Sequence, residues 1–301
     1  MAEKKRLIII DSNSIIHRAF HALPPLKTQK GELVNAVYGF LLVFFRAIKE
    51  FQPDFIAATF DFPAPTFRHQ KYKEYKAKRP PAPEGLYQQI PKIKEILQTF
   101  NVPIFEKEGF EADDLVGTIS EKFPKKQVFP EVQSIILSSD LDTLQLVNPK
   151  TKVYLLRKGV KDTLLYDENL VREKYQGLNP GQLIDFKALR GDPSDNIPGV
   201  TGVGEKTASR LIKEFGNLEN LYHNLSEKPE QIKSVSPNLM KVLLQQQEQA
   251  FFSRDLAAIN KDAPIDFKLE KFTWGNYDKQ KVIEILDRFE FYSLIKRLSE
   301  I

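Results

Sequence analysis

Leu7-Ile8-Ile9-Ile10-Asp11 decides how the chain folds. Four consecutive aliphatic residues leave no polar face, the pattern of a parallel strand covered on both sides. The run is too short for a membrane span or a signal peptide, although basic residues precede it. Asp11 closes the run and puts a carboxylate at the carboxyl end of the strand. Ligand sites of open α/β sheets form there. Ser12-Asn13-Ser14 is suited to cap a helix carrying His17 and Arg18.

The same pattern recurs along the chain. Phe55-Ile56-Ala57-Ala58-Thr59-Phe60 reads as a second strand and is followed by Asp61. A short strand at 102–105 leads into Gly109-Phe110-Glu111-Ala112-Asp113-Asp114, where a helix is predicted to open at about Glu111. Glu111 and Asp114 then share one helix face. Three acids in a first turn also suit the helix dipole. Ser134-Ile135-Ile136-Leu137-Ser138 is another aliphatic strand, and Ser139-Asp140-Leu141-Asp142 follows it, with a helix predicted from 143. Residues 36–51 predict a core helix, 153–156 and 163–166 a hairpin, and Trp274 a core position. The fold class is α/β, a mostly parallel central sheet flanked by helices. The expected division is an α/β core over 1–175, with a helical arch at about 66–100, and a helical region over 176–301. Further helices are predicted at 84–100, 168–175, 180–189, 205–215 and 278–298.

Two stretches are basic or glycine-rich. Thr66-Phe67-Arg68-His69-Gln70-Lys71-Tyr72-Lys73-Glu74-Tyr75-Lys76-Ala77-Lys78-Arg79 holds six Lys or Arg against one Glu. Cations interleaved with aromatics suit a nucleic-acid strand, charges on phosphates and rings against bases. Pro80-Pro81-Ala82-Pro83 stops any helix there. Gly202-Val203-Gly204-Glu205-Lys206-Thr207 enters a predicted helix and exposes backbone N–H groups, a seat for phosphate. With the helix before it, this predicts a helix-hairpin-helix unit at about 180–215, which grips duplex backbone without reading bases. The spacing is not that of a Walker loop, and no strand precedes it as a dinucleotide fingerprint requires.

Composition bounds the chemistry. The 301 residues are 42% hydrophobic and 28% charged, an ordinary globular balance, with a net charge of +4. There is no cysteine, which excludes disulfides and thiolate metal sites and fits a reducing cytoplasm. Asp11, Asp61, Glu111, Asp113, Asp114, Asp140, Asp142, Asp192 and Asp195 all lie at predicted strand ends or adjacent turns. Two carboxylates about 4 Å apart repel by roughly 4 kcal/mol at an effective dielectric of about 20. Several in one pocket therefore call for hard divalent cations, Mg²⁺ or Mn²⁺, held by oxygen. Two such ions about 4 Å apart suit phosphodiester hydrolysis.

At this point the motifs taken together resemble the 5′-nuclease domain of bacterial DNA polymerase I, in the flap endonuclease superfamily. They are Asp11 before Ser-Asn-Ser, Arg18-Ala-Phe-His-Ala-Leu-Pro-Pro25, Phe60-Asp61, Thr66-Phe67-Arg68, Arg79-Pro-Pro, Glu111-Ala-Asp-Asp114, Asp140-Leu-Asp142, Gly191-Asp-Pro-Ser-Asp-Asn-Ile-Pro-Gly199 and Gly202-Val-Gly-Glu-Lys-Thr207. The resemblance runs from Leu7 to the final helix. It implies cleavage of branched or 5′-flap DNA near a 5′ end by two or three Mg²⁺ ions, with Mn²⁺ able to substitute, in primer or flap removal and in repair. It implies that Asp11, Asp61 and Asp113 surround one metal, that Asp140, Asp142 and Asp192 lie near the second, and that Glu111, Asp114 and Asp195 complete the cluster. Tyr75, Lys76 and Arg79 match the arch positions that meet the scissile phosphate. Arg18, Arg68, Lys71, Tyr72, Gly202, Gly204, Lys206 and Thr207 are the expected DNA contacts, and relatives hold a monovalent cation such as K⁺ at the hairpin turn. Further expectations are a monomer at the bacterial nucleoid in the cytoplasm, no membrane, and a polymerase domain in cis or in trans.

Four positions depart from the family pattern: Ser12 for Gly, His17 for Tyr, Ser139 for a small Gly or Ala, and Leu141 for Lys or Arg. The loss of a base at 141 bears on a local charge contact rather than on the metal site. Two alternatives stand beside the nuclease reading. A PIN-type ribonuclease shares an acidic site on a similar sheet but is usually shorter. A non-catalytic DNA-junction binder would be signalled by loss of an acid, and none is missing.

Overall fold

The opening aliphatic run forms β1 (Lys5–Asp11), in which Leu7, Ile8, Ile9 and Ile10 are sealed from solvent. α1 (Ser12–Ala22) follows without a linker. Its cap is Asp11, whose side chain accepts from the Ser14 backbone N–H, rather than a residue of the Ser-Asn-Ser stretch. α2 (Asn35–Phe51) is the expected core helix, with Phe40, Phe44 and Phe45 buried. β2 (Phe55–Thr59) comes next, then the short α3 (Phe67–Lys71), α4 (Glu84–Tyr87), α5 (Ile90–Thr99) and β3 (Ile104–Phe105). α6 (Ala112–Lys126), β4 (Val132–Ser138), β5 (Thr151–Lys158) and β6 (Asp162–Tyr166) follow. The remainder is helical: α7 (Glu168–Lys174), α8 (Leu183–Arg190), α9 (Glu205–Phe215), α10 (Leu218–Glu227), α11 (Pro237–Gln245), α12 (Gln247–Ala257), α13 (Lys279–Arg288) and α14 (Tyr292–Ile295). This computed structural model describes residues 4–126 and 131–301, so the first residues of the basic start lie outside it.

The six strands form one sheet in the order β3-β2-β1-β4-β5-β6. The first five are mutually parallel, and β6 returns antiparallel to β5 as the expected hairpin. The chain moves outward from β1 to β2 and β3, then restarts on the other side of β1 with β4. The strand order therefore reverses between β1 and β4, and a crevice opens outside the carboxyl ends of strands at such a reversal.

Contacts divide the chain into two units. The α/β unit takes Met1–Ala64, Pro81–Tyr166 and Asn260–Ile301, and the helical unit takes Pro65–Pro80 and Asp167–Ile259. The grouping differs from the expected cut at 175 in three places, the first being that residues 167–175 join the helical unit. Residues 260–301 belong to the α/β unit because Trp274 stacks on Phe100 and meets Phe44 edge-on, while its N–H bonds the Asp54 carbonyl at 2.9 Å. The basic segment 65–80 belongs to the helical unit.

Three predicted helices are shorter than expected. The basic segment is helical only over α3; turns follow, and Lys76 takes a left-handed φ of 56°. The helix predicted over 84–100 breaks into α4 and α5, because Pro91 occupies the first turn of α5 and Gln89 is used elsewhere. The buried Gln89 Oε1 accepts from the Ala36 and Val37 N–H groups at 2.8 and 3.3 Å and so caps α2, whose N-cap Val34 offers no side-chain acceptor. The final helix breaks at Glu290, where φ is 60°. The helix expected from 143 is a 3-10 segment, Leu141–Leu146, capped by Asp140. Among the described residues no helix is long and apolar enough to cross a membrane.

Candidate active site

In the α/β unit the acids collect where the topology predicts. β2, β1 and β4 are adjacent, and their carboxyl ends lead to Asp61, Asp11 and Asp140. Hydrogen bonds fix each one. Asp11 is 4% exposed; its Oδ2 accepts from the Ser138 hydroxyl at 2.6 Å. Ser138 Oγ in turn accepts from the Asp140 N–H at 2.9 Å and lies 3.1 Å from the Ser14 hydroxyl. Asp140 Oδ1 takes the Asp142 N–H at 2.9 Å. One serine hydroxyl at the end of β4 therefore ties the β1 and β4 acids together. Across the sheet, Asp61 Oδ1 accepts from the Ala112 N–H at 2.7 Å, which holds the first residue of α6 at the end of β2. A carboxylate at a helix N-terminus is also favoured by the dipole.

The other candidate acids of this unit are Asp113 and Asp114, in the first turn of α6, and Glu111, just before it. Asp114 is fully buried; Oδ2 accepts from the Glu111 N–H at 3.1 Å and Oδ1 from the Asn260 N–H at 2.7 Å. Its carboxylate splints the helix start to the returning chain. Glu111 is 7% exposed. Leu141, between Asp140 and Asp142, is 40% exposed, an apolar side chain flanked by carboxylates.

The chemistry of this set fits a hard cation. Every candidate donor is a carboxylate oxygen, and those of Asp11, Asp61 and Asp140 keep lone pairs beyond the hydrogen bonds they accept. The Ser12 hydroxyl, fully buried next to Asp11, has no hydrogen-bond partner, which suits a bound group at that end of the sheet. Among the described residues no three His, Asp or Glu side chains converge into a ready-made ligand shell. Of the nine acids expected to cluster, Asp11, Asp61 and Asp140 follow the ends of three adjacent strands, Glu111, Asp113, Asp114 and Asp142 belong to the same unit, and Asp192 and Asp195 belong to the helical unit.

The helical unit holds Asp192 and Asp195, and each has a cation of its own. Lys187 Nζ lies 2.6 Å from Asp192 Oδ2, and Oδ1 accepts from the Ser194 N–H and hydroxyl at 2.9 and 2.6 Å. Burial works against the charged form of Asp192, but the Lys187 ammonium and the Ser194 bonds outweigh it and hold the carboxyl down at about 2. Asp195 pairs with the Arg79 guanidinium and accepts from the Tyr75 hydroxyl at 3.2 Å. Arg79 Nε also donates to the Ser194 carbonyl, and the Lys76 N–H bonds the Asp195 carbonyl at 2.9 Å. The basic segment is thereby pinned to the 191–199 turn.

That turn is closed tightly. Asp192 and Ile197 exchange both backbone hydrogen bonds at 2.9 Å. Gly191 and Gly199 face each other across the neck with φ of 78° and 66°. A Cβ on Gly199 would stand 2.3 Å from the Gly191 nitrogen. No other residue fits both the backbone angle and the space.

The expected DNA contacts divide. Arg68 is a correction: it is 2% exposed and donates to the Leu256 and Ala258 carbonyls at 2.9 and 2.7 Å. Those bonds make it a buried anchor of α3 rather than a surface phosphate contact. Tyr75, 3% exposed, is buried against Asp195 rather than presented as a catalytic group. Tyr72 packs edge-on against Phe252 and bonds Glu74, so its ring is committed to protein. Lys71 stands 3.7 Å from Asp255. Gly202, Gly204 and Lys206 are exposed, Thr207 is half-buried before and within the first turn of α9, and Arg18 is half-buried on α1. Sequence reasoning missed Ser14, Ser138, Lys187 and Gln89. Only Ser138, a hydroxyl at the end of an aliphatic strand, left a readable trace.

Comparison with known proteins adds the following. A family model described as 5′-3′ exonuclease, N-terminal resolvase-like domain, matches residues 6–176, and one described as 5′-3′ exonuclease, C-terminal SAM fold, matches residues 178–280. The chain is 41% identical over 301 residues to DNA polymerase I of Bacillus subtilis (strain 168), covering 100% of this chain and 33% of that protein. It is 39% identical over 292 residues to the thermostable DNA polymerase I of Thermus thermophilus, covering 97% of this chain and 33% of that one. The chain thus spans about a third of the length of the curated relatives it matches. Among solved structures it is similar in fold to the T5 D15 protein co-crystallised with metal ions, with a TM-score of 0.69 at 20% identity over 96% of this chain and 98% of that one. It is likewise similar to the catalytic core of Rad2 in complex with DNA substrate, with a TM-score of 0.59 at 20% identity over 95% and 88%.

Proposed function

Because the chain belongs to the 5′-3′ exonuclease family, we propose that it is a structure-specific nuclease acting from 5′ ends and that its α/β unit hydrolyses DNA phosphodiesters with divalent cations held at the carboxyl ends of β2, β1 and β4. The observation that carries this is the Asp61, Asp11 and Asp140 row on three adjacent parallel strands, cross-tied by Ser138 and by the start of α6. Asp11, Asp61, Asp113, Asp140 and Asp142, with Glu111, would hold the cations, and Mg²⁺ or Mn²⁺ suits their oxygen donors. Divalent ions bound there supply charge neutralisation and Lewis acidity toward the scissile phosphate. The chain's own part is positional. Ser138 fixes the Asp11 rotamer, Asp140 caps the 3-10 turn that sets Asp142, and Asp114 anchors the helix that presents Asp113. Preorganised carboxylates avoid reorganisation as the cations arrive.

On the helical unit, Lys73, Lys76, Lys78 and Arg79 serve as phosphate contacts for the 5′ strand. The residues 202–207 turn with α8 and α9 serves as a helix-hairpin-helix grip on duplex backbone, with K⁺ a candidate at the turn. The natural substrate is branched or flapped DNA, and the working partner is a polymerase on the same DNA, in cis or in trans. The supporting fact for that partner is that relatives three times as long are DNA polymerases. The protein acts as a monomer in the bacterial cytoplasm.

The test is cleavage of a 5′-labelled flap duplex with Mg²⁺, beside single-stranded RNA and an Asp140→Ala/Asp142→Ala variant. Cleavage at the junction, lost in EDTA and in the variant while DNA binding persists, is expected. A variant that turns over normally would remove the β4 acids from the mechanism.

A further inference from the structure

α9 carries Lys206, Arg210 and Lys213 at spacings of four and three, which puts the three cations on one helix face. With Gln176, Ser209 and Glu214 they line a cavity of about 440 Å³. Glu214 is the one acid in it, and its Oε1 accepts from the Ser234 hydroxyl at 2.7 Å. Arg210 donates to the Ser234 carbonyl, so the loop at 234 steadies both side chains. Among the described residues neither Lys206 nor Lys213 forms an ion pair. Lys213 lies across Gly177: a Cβ there would meet its Cε at 3.1 Å and its ammonium at 3.6 Å. The absent side chain at 177 is what lets the ammonium rest over the cavity.

The second observation is Ser209. It is 3% exposed, lines the cavity, and its hydroxyl has no hydrogen-bond partner. A buried unmatched hydroxyl is costly unless a bound group completes it. Three cations around one donor hydroxyl match an oxyanion with several acceptor oxygens.

We propose that this cavity seats a phosphate oxyanion, and that in use the phosphate is a backbone group of duplex DNA lying farther along α9 than the residues 202–207 turn reaches. The Ser209 hydroxyl donates to one phosphate oxygen, Lys206 and Lys213 neutralise the charge, and Arg210 shapes the wall. The proposal rests on the DNA reading above and extends the duplex footprint by one turn of helix.

The experiment measures binding of labelled flap duplexes in EDTA, by fluorescence anisotropy, over a series of duplex-arm lengths. Binding needs no cleavage, so failure of the nuclease reading and failure of this one are separate results. Lys213→Gln should weaken binding several-fold on long arms and leave short arms unchanged. It should reduce the salt slope by about 0.9, the value of one phosphate contact. Lys213→Arg should restore both, and Ser209→Ala should weaken long-arm binding without lowering the melting temperature. Equal affinities and slopes for wild type and Lys213→Gln at every arm length would overturn the proposal. Calorimetry with inorganic phosphate alone decides the source. Tight uptake that Lys213→Gln abolishes, with long-arm DNA affinity untouched, would mark a free-phosphate site and overturn the duplex assignment.

Discussion

Gly199→Ala is the sharpest test of how the 191–199 turn is built. The new Cβ would stand 2.3 Å from the Gly191 nitrogen, 2.6 Å from the Arg190 carbonyl carbon and 2.7 Å from the Gly191 Cα. All three are backbone atoms, so no side chain can rotate away. The φ of 66° adds its own penalty, about 1–2 kcal/mol for a residue with a Cβ in the left-handed region. Overpacking against rigid neighbours costs typically about 1–3 kcal/mol. Together the loss is roughly 2–5 kcal/mol, a large share of the about 5–15 kcal/mol by which a domain is stable. The assay is urea unfolding followed by far-ultraviolet circular dichroism. The single tryptophan, Trp274, belongs to the α/β unit, so its fluorescence reads the wrong part of the chain. Gly181→Ala is the control. Gly181 has no neighbour within 4 Å of its Cβ position and no positive φ, so alanine there should be neutral or stabilise by about 0.4–1 kcal/mol. A Gly199→Ala variant within about 0.5 kcal/mol of wild type, the range of an ordinary surface change, would refute the closed neck.

Other outcomes follow from the same geometry. Asp192 is held from its ordinary 3.8 down to about 2, so its pairing stabilises the fold fully above 3.8 and is lost as the pH falls through about 2. That shift corresponds to about 2 kcal/mol. Asp192→Asn should flatten the acid limb of stability between those values in EDTA, and an unchanged limb contradicts the Lys187 pairing. Tyr75→Phe removes one buried donor to Asp195 and should cost about 1 kcal/mol of stability while cleavage stays within a few-fold. Loss of cleavage by orders of magnitude at unchanged stability would place the phenol on the substrate instead.

The sheet and its acidic edge were readable because strands buried on both faces cannot hide their aliphatic runs, and because an acid after such a run has few uses. What the sequence concealed depends on partners far away. Asp114 reads as one more acid of a helix start, and only its bond to the Asn260 N–H, 146 positions on, makes it a splint. Arg68 sits in a run of bases and looks like them until the carbonyls of Leu256 and Ala258 are seen around it. The breaks at Pro91 and Glu290 fell inside helical periodicity that local pattern alone prolongs. The grouping of 65–80 with the helical unit and of 260–301 with the sheet is a matter of contacts, which no window of sequence contains.

That last grouping has a consequence for synthesis on the ribosome. Gln29 N–H bonds the Glu290 carboxylate at 2.9 Å across 261 positions, and Phe100 waits for Trp274. At about 5–20 residues per second, a pair so separated is completed roughly 13–52 s after its first member is made. From the completion of β6 at Tyr166 until Trp274 is made, the nascent α/β unit has its strands but not the segment that covers Phe100, and the helical unit emerges in full before its neighbour can close. The window is an opening for chaperones. Slowed translation downstream of residue 259 should lengthen it and favour aggregation over folding.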